Sequence, residues 1–124
     1  MGYPDIERAR EGQAALQRII DGYVGPGADA RALRRVVDLC RDVSEAIDDE
    51  YCREKVRSVA EYSAELLSQA EPRARGAIAG ADFLRRQIRA ALELLQSRLY
   101  SLERLRRYGQ FARANFGPAA AFKR

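Results

Sequence analysis

The 124-residue chain contains no histidine, and that gap excludes more chemistry than any other feature of its composition. Without His there is no Ser-His or Cys-His dyad and no imidazole general base. The Glu-x-x-His ligand pairs that hold metals in di-iron helical bundles are excluded as well. Trp and Thr are also absent, and only 2 cysteines occur. Cys40 and Cys52 fall on one expected helix, where twelve residues of rise would separate them by about 18 Å, far beyond disulfide reach. Two distant thiols make no zinc site without another chain. Cys40 lies on an apolar stripe, so a buried free thiol is its expected role.

Long apolar runs are missing too. No stretch approaches the ~18 consecutive apolar residues of a membrane span. MGYPDIERAREG has neither an apolar segment of signal type nor the Ser or Thr at position 6 of a myristoylation site. The expectation is a cytoplasmic protein with no membrane partner. Nor is there an alternating β-branched or aromatic run of strand type. No catalytic residue, cofactor, metal ligand or small-molecule substrate is assigned.

What is present favours helix. Ala, Leu, Arg and Glu dominate, and each supports helix residue by residue. With 47% hydrophobic and 32% charged residues, the chain has the composition of a globular all-α domain. One helical domain is expected over 1–115, followed by a flexible tail over 116–124 that carries Gly117 and Pro118.

The apolar spacing divides the domain into three helices. The first runs from about Pro4 to Tyr23, with Ile6, Ala9, Gln13, Leu16, Ile20 and Tyr23 at steps of 3 and 4. GYVGPGAD then reads as a turn, in which Pro26 forbids continuation and Asp29 caps the next helix. From Asp29 to about Ala70 there is neither Gly nor Pro. Leu33, Val36, Cys40, Val43 and Ile47 keep the helical step, and so do Cys52, Val56, Val59, Ser63 and Leu66. The stride from Ile47 to Cys52 is one residue too long, and Asp48, Asp49 and Glu50 accompany it. A continuous helix absorbs the extra residue as a change in winding; a broken one makes Asp48 or Asp49 a cap. Continuity is expected on length, because Asp29–Ala70 then matches a final helix from about Pro72 to Asn115. The fold predicted is a three-helix arrangement dominated by a long antiparallel helical hairpin. A shorter N-terminal helix packs on its open end, leaving only two helices at the closed end.

Charge is unevenly placed. Residues 1–71 hold 10 Lys+Arg against 15 Asp+Glu, and residues 72–124 hold 12 against 3. An acidic helix lying beside a basic one satisfies this pattern, and so does a basic surface for an anionic partner. Asp42, Glu45 and Asp49, and likewise Glu61 and Glu65, read as a solvated face, with the acids at 48–50 pointing outward.

Two surfaces stand out as candidate sites. On the final helix Phe83, Ala90, Leu94, Leu105 and Tyr108 fall beside the main apolar stripe. A 30 Å first helix covers the Leu105–Tyr108 part but does not also reach Phe83 and Leu94. Gly76 and Gly80, four apart in RGAIAGADF, read as a tight hairpin tip or as a groove for another helix. Phe83, Leu94, Gly76 and Gly80 are therefore the candidate partner-binding residues, for a homodimer or another protein. The second surface interleaves Arg with aromatics. Arg86, Tyr100, Arg104, Arg107 and Phe111 share an outward face, where guanidinium groups pair with phosphate and rings stack on bases. The leading expectation is a non-enzymatic helical interaction module: an adaptor, a chaperone-like protein or a structural subunit. The alternative is a small basic subunit of a nucleoprotein complex that binds RNA or DNA.

Overall fold

The computed structural model describes residues 5–23, 27–68 and 75–116, the last stretch with side chains over 80–109. Among the described residues there are four helices and no strands: α1 (Ile6–Gly22), α2 (Ala30–Ala46), α3 (Glu50–Ser68) and α4 (Arg75–Phe116). No described helix is long and apolar enough to cross a membrane. The Gly25–Pro26 turn and the tail beyond Phe116 lie outside the described residues.

Each of the first three helices begins on an aspartate. Asp5 accepts from the Arg8 N–H, Asp29 from the Ala32 N–H and Asp49 from the Cys52 N–H, each at 3.0 Å. A side-chain oxygen placed there satisfies one of the amide donors that a helix start leaves unpaired. Gly27, between α1 and α2, takes a positive φ of 142°, a conformation closed to most side chains.

The expected continuous second helix is corrected by the structure. α2 ends at Ala46, Ile47 turns to an extended conformation, and Asp49 caps α3. The extra residue between Ile47 and Cys52 is spent on a reversal rather than on a change of winding, and both flanking residues are buried inside it. The reason lies in α4. A straight α2–α3 rod would have set α2 along the C-terminal half of α4, whose inward line passes from Leu99 and Leu102 to Arg106 and Gly109. That line has too few apolar groups to receive Val36, Cys40 and Val43. Folded back, α2 buries them against α1 and α3 instead. Each such burial is worth roughly 1.5–3 kcal/mol, against about 1 kcal/mol for each helix-end donor that needs a new cap. Burial wins.

The result is an up-and-down four-helix bundle in place of the predicted three-helix hairpin. α1 packs on α2 and α4, and α3 packs on α2 and α4, while the diagonal pairs make no close backbone approach among the described residues. The Asp5 N–H donates to the Ala46 carbonyl at 2.9 Å and the Asp29 N–H to the Leu67 carbonyl at 2.7 Å, which ties both ends of α2 to antiparallel neighbours. Leu16 and Ile20 of α1, Val36 and Val43 of α2, Val59 and Leu66 of α3, and Ile88, Leu92, Leu95 and Leu99 of α4 are fully buried. Gln13 lies in this core and donates to the Leu92 carbonyl at 3.2 Å. Leu102, expected in the core, is only half-buried.

Asp49 also holds the reversal to α4. Its two oxygens receive Arg98 Nη2 at 2.8 Å and Nε at 3.1 Å, a bidentate pair. Asp48 and Glu50 face outward as expected, but Asp49 is turned in, its side chain 16% exposed. The hydrogen bonds from Arg98, together with the Cys52 N–H, outweigh partial burial and hold its carboxyl down at about 2.

Two outcomes follow from this packing. A carboxyl held at about 2 in the fold and near 4 when unfolded contributes stability that is complete above pH ~4 and fades as pH falls towards 2. Asp49→Asn keeps the cap but loses the ion pair. Solvent reaches Arg98, so the loss at pH 7 should be about 1 kcal/mol, vanishing in acid, when denaturant unfolding is followed from pH 7 to 2.5. Gly12 lets α1 approach α2, since an added Cβ would stand 2.6 Å from Val43 Cγ2. Gly12→Ala should therefore destabilise by about 1 kcal/mol despite the better helix propensity of Ala. Placed in a Val43→Ala background, the same change should become stabilising, and thermal melts of the four chains decide it.

Candidate interaction surface

α4 is 42 residues long, against 17 to 19 for each of the other helices. At 1.5 Å per residue it measures about 63 Å, roughly twice the rods beside it. α3 starts level with Arg98, through the Asp49 pair, and runs back along the N-terminal half of α4. α1 lies on the neighbouring side: Asp21 meets Arg89, and Arg10 meets Glu103. Beyond Glu103 no described helix accompanies α4, so its last turns project from the bundle.

The apolar line seen in the sequence survives on the outer side of this helix. Phe83 is 47% exposed, Leu94 45%, Leu105 64% and Tyr108 69%. With Gln87, Ala90, Ser97 and Ser101 between them, these residues recur at steps of 3 and 4, forming one seam along the axis. From Phe83 to Tyr108 it is about 37 Å long. The expectation that α1 shields Leu105 and Tyr108 is corrected, because both side chains stay largely exposed beside it. Such a line differs from scattered surface leucines in keeping its four large side chains on one side of one helix, with Gln87, Ser97 and Ser101 between them.

One border of the seam is the Arg/aromatic face. Arg86, Tyr100, Arg104 and Arg107 share it, while the side chain of Phe111 lies outside the described residues. Arg104 sits over the Tyr100 ring at 6.0 Å. Arg107 is engaged elsewhere, with Nη2 donating to Glu103 at 3.1 Å. Glu103 also receives Arg10 Nη1 at 2.6 Å. Partial burial raises the Glu103 carboxyl, but these arginines outweigh it and hold the pKa below the usual range. The face thus carries fewer uncommitted cations than its residue count promises.

The other border is α3, and there the sequence reading missed a residue. Tyr51 is exposed, with Arg98 over its ring at 6.0 Å and Lys55 at 5.1 Å. The signal that could have found it is its place next to Cys52, which sets its ring at the edge of the apolar face that meets α4.

The glycine candidates fare differently. Gly76 belongs to the backbone of α4, but its surroundings lie outside the described residues. Gly80 is half-exposed, and a Cβ added there would meet nothing within 4 Å, so no helix approaches it closely. The acids also part company: Asp42 and Glu45 bind Arg8 of α1, whereas Asp49 turns to Arg98. Among the described residues no group of three or more Cys, Asp or Glu could hold a metal ion. Cys40 is buried and free, as expected, and so is Cys52. Burial pushes both thiols to about 12, which leaves them protonated and unreactive near neutral pH. A shallow polar groove of about 670 Å³ separates α1 from α4, lined by Glu7, Glu11, Gln96 and Tyr100 among others.

The seam contributes little to folding of the single chain. Leu94→Ser should cost under about 1 kcal/mol in thermal unfolding, as a surface change does. Leu92→Ala, two residues away and fully buried, should cost about 2–5 kcal/mol. Equal losses would mean that Leu94 is covered within one chain. No family model matches this chain, and neither a curated protein nor a solved structure matches it.

Proposed function

We propose that the chain is a non-enzymatic helical interaction module, an adaptor, chaperone-like or structural subunit, that acts through α4 in a homo-oligomer or a larger assembly. One observation carries this reading. Phe83, Leu94, Leu105 and Tyr108 stand exposed along one side of the longest helix, and their line runs on past the helices that could have covered it. Burying a Phe or Leu is worth roughly 1.5–3 kcal/mol, so the isolated chain forgoes several such contributions along one line. Another polypeptide surface recovers them.

The basic reading is supported at one point, the Arg104–Tyr100 stack, with Arg86 on the same face and in no ion pair with a described residue. Arg107, the residue expected to work with Arg104, is held by Glu103. Binding of short oligonucleotides that weakens steeply with salt, and weakens further in Arg86→Gln and Arg104→Gln, would favour that reading.

The test of the interaction reading uses the chain in extracts of its own host. Wild type should migrate as a particle larger than a 13.9 kDa monomer. Leu94→Arg and Leu105→Arg, with unchanged helical circular dichroism, should migrate as monomers. Wild type that migrates as a monomer, or seam variants that migrate like wild type, would remove the seam's assigned role.

A further inference from the structure

We infer that the occupant of the α4 seam is a second copy of this chain, laid antiparallel about the midpoint of α4. The inference rests on the seam being an interaction surface, as proposed above. α4 runs Arg75–Phe116, so its midpoint falls between Leu95 and Gln96. Three pairs of seam positions are arranged symmetrically about that same point, while Leu105 and Gln87 fall opposite Arg86 and Arg104 of the bordering face. Phe83 and Tyr108 stand equally far from it, as do Ala90 and Ser101, and Leu94 and Ser97. In an antiparallel pair each residue meets the one equally far on the other side. Rings then meet at both ends, while in the middle Leu94 meets Ser97 and Ala90 meets Ser101. The inner layers set large against small or small against small, which lets two helices close without overpacking.

Area selects the same arrangement. The four large seam side chains still offer roughly 400 Å², taking ~200 Å² for a whole aromatic ring. Each side of a standard interface buries about 800 Å², so the seam alone supplies half. Antiparallel overlap centred on the helix supplies more. α3 covers only the N-terminal half of α4. A two-fold axis at the midpoint brings the second copy's α3 border beside the uncovered C-terminal half. The projecting turns that carry Leu105 and Tyr108 then lie along the second copy's bundle. In a parallel pair those turns meet only each other.

The opposite border gives the dimer a distinguishing mark. There Arg86 comes within one residue of level with the second copy's Arg104, twice over by symmetry. Salt screens that repulsion, so the dimer tightens as ionic strength rises. An anionic occupant, whether an acidic helix or a nucleic acid, shows the reverse dependence.

Sedimentation velocity of the purified full chain from 1 to 100 μM tests the proposal. A concentration-dependent dimer is expected, severalfold tighter at about 500 mM than at 50 mM salt. Leu94→Arg should abolish it. Orientation is read by a short thiol cross-linker, with the wild-type chain and its two buried cysteines as the control. Phe83→Cys mixed with Tyr108→Cys should cross-link, and either variant alone should not. Cross-linking of Phe83→Cys to itself would overturn the antiparallel arrangement. A monomer at 100 μM, or association that weakens with salt, would overturn the second copy as occupant. If the purified chain is monomeric while the larger particle persists in extracts, the interaction reading stands and this inference fails. Monomers in both settings remove both.

Discussion

The structure depends on the reversal at Ile47–Asp49. Asp49 does two jobs there: it caps α3 through the Cys52 N–H and clamps Arg98 of α4 with both carboxylate oxygens. Were the chain to run straight through this point, α2 would lie along Arg106 and Gly109 instead of inside a four-sided core. Because the chain turns, α2 and α3 stack beside one another and the bundle closes within about two-thirds of the length of α4. The reversal that builds the core therefore also leaves the far end of α4 without an escort.

That consequence links packing to function. Glu103 marks the boundary, gathering Arg10 of α1 with Arg106 and Arg107 of its own helix. Up to this point α4 has a partner on each inner side. Past it, the outer line of Phe83, Leu94, Leu105 and Tyr108 continues with nothing from the same chain to meet it. A helix held rigid by a packed core over about two-thirds of its length presents its last turns in a defined direction, which reduces the ordering cost of docking. The buried, protonated thiols and the scattered carboxylates add no competing chemistry.

Much of this was legible in the residues. Steps of 3 and 4 placed α1 nearly to its ends and separated the outer line at Phe83 and Leu94 from the main apolar stripe of α4, while GYVGPGAD marked Asp29 as a cap. Those are local properties, set by the helical period and by which side chains prefer water. The anomaly at Asp48–Glu50 was equally visible, but its outcome was not. Bulge and break use the same residues at similar local cost, and matching lengths argued for the bulge. The inward line of α4 held the deciding information, since Arg106 and Gly109 interrupt it where a straight helix would have needed leucines.

By itself, then, the sequence determined an all-helical chain, the absence of imidazole chemistry, the buried thiol of Cys40 and the outer apolar line along α4. Each of these depends on residue type and on spacing within a single helix. Only the tertiary structure decided the number of helices, the inward turn of Asp49, the commitment of Arg107 to Glu103 and the length of α4 left uncovered. Those depend on burial summed over several helices at once, a quantity that no single stretch of the chain contains.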